Sequence, residues 1–274
     1  MNTRMSPAWL AAFTLWAATA GAAQAACSRS IEVPMAPIGL SVSFDGDRSG
    51  GIYPTLLREI GASAGCEFQV QRVPRARLQK MFEAGQADLL LPASASPTRE
   101  GDGEFVPLIQ VRASLLTLGP KRMSAPRSLT ELVAQPDIKL AVVRGFSFGP
   151  AYEVAVASLR AQKRLVEESD VGGVARALRQ GLAQGTVMTA SILIGTLLQE
   201  ADLAPLARQV RVEPLDELAW SESGVYLSRL SLTEGDRQQL RRAFLQQAKA
   251  GRVWQLFNEN HPPGSLGGSI RPLP

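Results

Sequence analysis

Short apolar runs alternate with helical patterns between residues 30 and 91, and this alternation restricts the fold more than any other feature. Each apolar run is too short for a helix and is bounded by turn residues, which favours a strand. The predicted elements are strands at 30–35, 67–73 and 89–91, a helix at 52–61 that ends at Gly61, and a helix at 76–84. This order is that of a right-handed parallel α/β unit.

A second unit of the same kind follows in the sequence. Ser128 and Glu131 form a capping-box pattern, which predicts the start of a short helix. The pattern then predicts strands at 139–143, 165–166 and 185–190, with helices at 151–161 and 171–182. A strand at 111–118 and a polar stretch at 119–127 lead into this unit, and strands at 210–212 and 218–227 lead out of it. A helix that Thr233 caps then runs to about residue 250, and a last helix covers 253–258.

The composition is that of a globular protein. Of the 274 residues, 45% are hydrophobic and 20% are charged, which is enough apolar material for one or two cores. The net charge of +4 is small, and no run of lysine and arginine is interleaved with aromatic residues. These features argue against nucleic-acid binding.

Residues 1–25 have the pattern of a secretory signal peptide. Arg4 gives a positive start, an apolar run covers residues 8–22, and Ala-Gln-Ala at 23–25 places small residues around a cleavage site. A membrane anchor is the alternative, but the run is short and no charged stop-transfer flank follows it. We therefore predict export of the chain to the periplasm.

The two cysteines, Cys27 and Cys66, would both reach an oxidising compartment after export. An even count there favours a disulfide, and both residues precede predicted strands of the same sheet. Two separate buried thiols are the alternative. The single histidine, His261, lies in a segment rich in proline and glycine, so we predict no metal site and no cofactor.

The stretch from Gly85 to Arg99 carries the clearest functional pattern. Hydroxyl-bearing residues follow its predicted buried strand, and such residues at the carboxyl end of a strand suit the ligand crevice of an α/β protein. The guanidinium of Arg99 could bind a carboxylate with two hydrogen bonds. An ordinary loop with a solvated arginine is the alternative reading of these residues alone.

The same stretch resembles the central motif of the family 3 periplasmic solute-binding proteins, the polar amino-acid receptors of ABC importers. The residues at the motif positions are Gly85, Asp88, Ser94, Ser96 and Arg99. In that family the arginine binds the ligand carboxylate, and a serine or threonine five residues before it also contacts the ligand. The resemblance therefore implies that Arg99 and Ser94 bind the ligand.

The resemblance covers about residues 31–260 and implies a two-lobed periplasmic-binding-protein fold of type 2. Each lobe would be a mainly parallel sheet flanked by helices, and two crossover strands would join the lobes. On this reading residues 26–116 and 221–262 form the first lobe, residues 117–220 form the second lobe, and residues 263–274 are a loose C-terminal tail.

A turn in the second unit is a further candidate for ligand contact. Gly145 and Ser147 follow a predicted strand and precede a helix, where free N–H groups and the helix dipole favour an anion. An ordinary strand-to-helix turn is the alternative. In the resembled family the same turn contacts the ligand carboxylate, and Gly145 and Ser147 match its glycine and its second hydroxyl residue.

The resembled family places an acid that binds the ligand ammonium near the end of the strand at 185–190. Ser191 and its neighbours occupy that region here, and Arg75 lies where the family has a pocket-lining residue. If Arg75 and Arg99 both face the crevice, the site suits an anion such as a dicarboxylate. The alternative for Arg75 is a surface ion pair.

We therefore predict a non-enzymatic, monomeric periplasmic binding protein. It would capture a small, anionic solute, an amino acid or organic acid, and deliver it to an ABC permease or present it to a sensor kinase. The rival prediction is a periplasmic dehydratase-like enzyme of the same fold that acts on a prephenate-type acid. Its general acid would be Asp45, Asp47 or Glu222.

Overall fold

A computed structural model describes Met1 and residues 26–119 and 125–274. The predicted signal peptide and part of the polar stretch at 119–127 lie outside these residues. In chain order the strands are β1 Ile31–Met35, β2 Ser43–Asp45, β3 Arg48–Gly50, β4 Phe68–Arg72, β5 Leu89–Ser94, β6 Gly103–Val111, β7 Ser114–Leu118, β8 Leu140–Val143, β9 Leu165–Glu168, β10 Thr186–Met188, β11 Val210–Glu213, β12 Ser221–Ser228 and β13 Ile270–Arg271.

The helices are α1 Ile52–Ala64, α2 Arg75–Glu83, α3 Leu129–Ala134, α4 Pro150–Ala161, α5 Val171–Arg179, α6 Ala190–Gln199, α7 Glu234–Lys249 and α8 Arg252–Asn260, with short 3₁₀ turns at Pro97–Arg99 and Ala204–Gln209. Within the described ranges, none of these helices is long and apolar enough to cross a membrane.

The first lobe combines elements from both ends of the chain. Strands β1 and β4 pair in parallel, and a second sheet has the order β13-β6-β12-β5 with antiparallel pairing. Helices α1, α7 and α8 pack on one another and on this lobe through buried apolar residues, among them Leu56, Phe244 and Phe257. This arrangement agrees with the predicted return of the chain to its first unit.

The second lobe has its own core. Strands β8 and β9 pair in parallel, whereas β7 lies between β10 and β11 with antiparallel pairing. Two groups of buried residues form this core. One group includes residues of helices α5 and α6, and the other includes residues of α3 and α4. The structure is therefore an α/β protein with two lobes, as predicted.

The chain changes lobe earlier than predicted. The single predicted strand at 111–118 is two strands, β6 and β7, interrupted at Arg112 and Ala113. Because β7 pairs only with strands of the second lobe among the described residues, this interruption is the first crossover, five residues before the predicted boundary at 117. The second crossover lies between β11 and β12.

The predicted end of the first helix is wrong. Helix α1 continues past Gly61 to Ala64 and ends at Gly65, which adopts a left-handed conformation with φ of 66°. Gly61 has a different role, since a Cβ atom there would lie 2.7 Å from the carbonyl oxygen of Cys66. The chain needs glycine at position 61 because its backbone approaches residue 66 closely.

The predicted disulfide is confirmed. Cys27 and Cys66 are bonded, with their Cα atoms 4.9 Å apart. The bond ties the chain before β1 to the turn after α1, on the edge of the first lobe. The predicted cap residues are confirmed as well, since the side chain of Ser128 accepts a hydrogen bond from the amide of Glu131, and that of Thr233 from the amide of Asp236.

The C-terminal residues are not a loose tail. Strand β13 pairs with Val111 and Gln110 of β6, and Leu266 and Ile270 are only 3% and 2% exposed. These two apolar side chains belong to the core of the first lobe. Their burial explains why a segment rich in proline and glycine is ordered.

Candidate functional site

The loop that follows β5 is held by a tyrosine from another strand. The hydroxyl group of Tyr226 in β12 accepts a hydrogen bond from the amide of Ser96 at 2.7 Å and donates one to its carbonyl oxygen at 3.2 Å. Tyr226 is fully buried between Phe82 and Phe105. A rigid strand therefore fixes the loop that carries the predicted ligand-binding residues.

Arg99 is oriented by three groups. Its Nε atom donates to Oε1 of Gln79 at 2.6 Å, one terminal nitrogen donates to the carbonyl oxygen of Ser94 at 3.1 Å, and the guanidinium lies 5.9 Å from the ring centre of Tyr226. These contacts place Arg99 beside Ser94. They also leave part of the guanidinium available to a ligand.

Arg75 lies at the start of α2, close to Arg99. Its guanidinium packs over the ring of Phe146 at 5.6 Å, so a residue of the first lobe contacts the turn at 144–149 of the second lobe. Arg75 keeps solvent-exposed surface, yet surrounding protein lowers its pKa by desolvation, and the charge of Arg99 lowers that pKa further.

The two arginines form no ion pair with an acid in the part of the chain that the structure describes. None of the ion pairs formed within residues 26–119 and 125–274 includes Arg75 or Arg99. The surface ion pair considered for Arg75 is therefore not formed with any residue of the described ranges. Arg75 and Arg77 also occupy the first turn of α2, where the helix dipole disfavours cations and no side chain caps the helix. An anion would relieve this repulsion.

The turn of the second lobe faces Arg75 through its aromatic residue. Gly145 adopts φ of 80°, which a glycine accommodates without strain, and Phe146 follows it. Ser147 is exposed, and α4 begins only at Pro150 after Gly149, so Ser147 does not cap the helix. The hydroxyl groups of Ser94 and Ser147 have no hydrogen-bond partner in the described part of the chain and could bind a ligand.

The lobes also meet at the loop after β1. The carbonyl oxygen of Gly39 accepts a hydrogen bond from the side chain of Gln199 in α6 at 3.0 Å. A Cβ atom on Gly195 would lie 2.6 Å from the amide nitrogen of Leu40, so the two backbones are in contact. Together with the contact between Arg75 and Phe146, these contacts show that the lobes meet at two separate places.

Ser191 contacts a different part of the molecule. It is 4% exposed, in the first turn of α6, and its carbonyl oxygen lies 3.4 Å from Nε2 of His261. Burial lowers the pKa of His261. The structure thus brings together Arg75, Ser94, Arg99 and the turn with Gly145 and Ser147, whereas Ser191 packs against the C-terminal residues.

The acids considered for the enzymatic alternative are poorly placed. Asp45 and Asp47 flank Gly46 in the turn between β2 and β3, and Glu222 lies in β12. All three are solvent-exposed. A general acid that works at neutral pH usually needs surroundings of low polarity, and these positions do not provide them.

Three residues of the site were not predicted, namely Gln79, Phe146 and Tyr226. Gln79 lies one helical turn after Arg75, so the spacing of i and i+4 on α2 could have identified it. Phe146 lies between the two predicted residues of its turn. Tyr226 has no local signal, because its place depends on the pairing of β12 with β5 and β6.

Comparison with known proteins supports this architecture. No family model matches the sequence, and no curated protein matches it. Among solved structures, the ligand-binding core of GluR0 in complex with L-glutamate has a TM-score of 0.65 and 15% identity, and the match covers 86% of this chain and 99% of that one. The chain has the two-lobed periplasmic-binding-protein fold.

Two further structures show the same fold. A histidine kinase sensor domain with similarity to periplasmic binding proteins has a TM-score of 0.61 and 17% identity over 89% of this chain and 98% of that one. ArtJ, an arginine-, lysine- and histidine-binding protein from Geobacillus stearothermophilus, has a TM-score of 0.62 and 12% identity over 86% and 97%. At such low identities the similarity establishes the fold alone.

Proposed function

We propose that this protein binds a small organic anion without an amino group in the crevice between its lobes. The observation that carries the proposal is the pair Arg75 and Arg99, two neighbouring cations without an acidic partner in the described residues. A ligand carboxylate would pair with both guanidinium groups. Exposed hydroxyl groups of Ser94 and Ser147 would add hydrogen bonds from either lobe.

The sequence argues against an α-amino acid as the ligand, because Ser191 and its neighbours stand where the resembled family has its ammonium-binding acid. An ammonium group enclosed between the lobes needs a carboxylate partner, because an unpaired buried charge costs several kcal/mol. Ser191, which replaces the ammonium-binding acid of the resembled family, is itself buried against His261. We therefore favour mono- or dicarboxylates that lack nitrogen.

The proposal includes a periplasmic location and a membrane partner. A disulfide between Cys27 and Cys66 fits an oxidising compartment, which supports export by the predicted signal peptide. The bound form would be recognised by an ABC permease or a sensor kinase. Both partners fit the fold, since solved structures of this fold include binding proteins and a histidine kinase sensor domain.

A thermal-shift screen of the purified protein tests the ligand class. A ligand at a hundredfold excess over its dissociation constant stabilises the folded state by about 2.7 kcal/mol, which corresponds to roughly 5–10 °C for a protein of this size. We expect such shifts with organic acids that lack an amino group. Shifts with α-amino acids only would contradict the proposed ligand class.

Variants of three arginines test the site. For an acid identified in the screen, we expect Arg75→Met and Arg99→Met each to weaken binding by about 30-fold or more, because each removes a cation that pairs with the ligand. Arg77→Met is the matched control, since Arg77 is an exposed arginine of the same helix. Calorimetric titration measures the affinities. Equal affinity of all three variants and the wild type would place the site elsewhere.

A further inference from the structure

The C-terminal segment, residues 261–271, belongs to the first lobe. Its apolar residues Leu266 and Ile270 lie in the core of that lobe, and β13 extends the sheet there next to β6. When the lobes rotate relative to each other, this segment must therefore move with the first lobe. Its contacts with other parts of the molecule then decide whether it affects that rotation.

One buried hydroxyl group in this segment contacts both a crossover and the second lobe. The Oγ atom of Ser269 donates a hydrogen bond to the carbonyl oxygen of Arg112 at 2.8 Å and accepts one from the amide of Ala190, also at 2.8 Å. Arg112 lies at the first crossover, and Ala190 begins α6 of the second lobe. Ser269 is completely buried.

Two more residues of the segment contact the second lobe. Nε2 of His261 lies 3.4 Å from the carbonyl oxygen of Ser191 in α6. The backbone of Gly268 passes close to the residues after β11, since a Cβ atom there would lie 3.6 Å from Cγ of Pro214. The segment thus contacts the second lobe at the start of α6 and at the end of β11.

The segment is also joined to the second crossover. Trp220 contacts two guanidinium groups, with its ring centre 4.8 Å from Arg112 and 4.2 Å from Arg271. Arg112 belongs to the first crossover, Trp220 to the second, and Arg271 to the C-terminal segment. This stack therefore fixes the two crossovers relative to each other and to the segment.

We propose that residues 261–271 form a strap across the hinge, which restrains rotation of the lobes, and that Ser269 is the residue through which the strap holds the second lobe. Opening of the crevice by rotation about the crossovers would separate Ser269 from Ala190 and leave a buried amide without a partner. The strap would therefore favour the arrangement in which Arg75 contacts Phe146, before any solute binds.

The distance between the lobes in the ligand-free protein tests this proposal. Lys80 in α2 and Val154 in α4 are exposed and lie on helices that begin on either side of the crevice. Spin labels on Lys80→Cys and Val154→Cys would report the separation by pulsed electron spin resonance. The two native cysteines are joined in the disulfide and would not react with the label. No ligand is needed, so the result does not depend on the proposed function.

We expect the variant Ser269→Ala to increase the population with longer distances about fivefold or more, since it removes one buried hydrogen bond between the lobes. Hydrogen exchange of the Ala190 amide should accelerate by a similar factor. Ser265→Ala is the matched control, because Oγ of Ser265 donates only to Pro262 within the same segment. Its distances should equal those of the reference protein, whose only substitutions are the two labelled cysteines at positions 80 and 154.

Two results would overturn the proposal. If Ser269→Ala keeps the distances and the Ala190 exchange rate of the reference protein, Ser269 does not restrain the lobes. If Ser265→Ala shifts the distances as much as Ser269→Ala does, the effect comes from general packing of the segment and not from the bond to Ala190. Circular dichroism of each variant verifies that both lobes remain folded.

Discussion

Replacing Asp88 by alanine is expected to lower the free energy of unfolding by about 4 kcal/mol, which would lower the melting temperature by roughly 10 °C. Asp88 is 1% exposed, and its carboxylate accepts hydrogen bonds from Arg29 at 2.6 and 2.8 Å, from the amide of Glu32 at 2.8 Å and from Oγ of Ser231 at 2.6 Å. Alanine would leave these donors without their shared acceptor.

The effect of this substitution should depend on pH. Burial alone raises the pKa of Asp88, but hydrogen bonds from Arg29, Ser231 and the amide of Glu32 outweigh burial, so the pKa lies below its usual value. The carboxylate therefore contributes stability above pH ~4, and this contribution is lost as the pH falls through the lowered pKa. The difference in stability between wild type and Asp88→Ala should decrease in acid.

Chemical denaturation of the wild type and of Asp88→Ala, at several pH values between about 3 and 7, measures the two free energies of unfolding. Asp137→Ala is the control, since Asp137 is exposed and its side chain has no hydrogen-bond or ion-pair partner in the described part of the chain. We expect the control to change the stability by less than about 0.5 kcal/mol. Equal stabilities of Asp88→Ala and the control at neutral pH would refute the structural role of Asp88.

Asp88 shows what a sequence motif can and cannot reveal. The motif between Gly85 and Arg99 predicted that Ser94 and Arg99 bind a ligand. The structure places these two residues beside each other at the end of β5. Asp88, however, has a structural role, because every described contact of its carboxylate is with Arg29, Glu32 or Ser231. The spacing of a motif does not distinguish residues that bind a ligand from residues that hold the strand in place.

Features that depend on neighbouring residues were predicted well. The caps at Ser128 and Thr233 depend on a few consecutive residues, so their signals are local. The helix end at Gly61 was wrong because a glycine can stop a helix or permit close packing, and only the position of Cys66 distinguishes the two.

Features that depend on distant parts of the chain were not predicted. Residues 111–118 contain no glycine or proline, so no turn residue marks the crossover at Arg112. The C-terminal segment has the composition of a loop, and its order depends on the burial of Leu266 and Ile270 in a core formed by residues far away in the sequence. Tyr226, which holds the loop after β5, depends on strand pairing in the same way.

Arg164 gives the second large expected effect, and it concerns the second lobe. This arginine is 8% exposed, and its guanidinium donates to the carbonyl oxygens of Ile138 at 2.9 Å, Val133 at 2.7 Å and Leu132 at 3.4 Å. It also donates to the carbonyl oxygen of Gln135. These acceptors lie at or just after the C-terminal end of α3, where the negative end of the helix dipole stabilises a cation.

We expect Arg164→Met to lower the free energy of unfolding by about 3–4 kcal/mol. Methionine fills a similar volume but donates no hydrogen bond, so several buried carbonyl groups lose their donor, and loss of the desolvation cost of the charge offsets only part of this. Calorimetry should show the change mainly in the unfolding of the second lobe if the two lobes melt separately.

Arg160→Met is the matched control for this prediction. Arg160 lies four residues earlier, and its ion pair with Glu167 at 2.8 Å is largely exposed, with 54% and 36% of the two side chains accessible. Exposed pairs contribute at most about 1 kcal/mol, so this variant should melt close to the wild type. Equal losses in the two variants would mean that Arg164 acts as a surface charge. A larger loss of stability in Arg164→Met would show that the hydrogen bonds of a single arginine hold α3 against the second lobe.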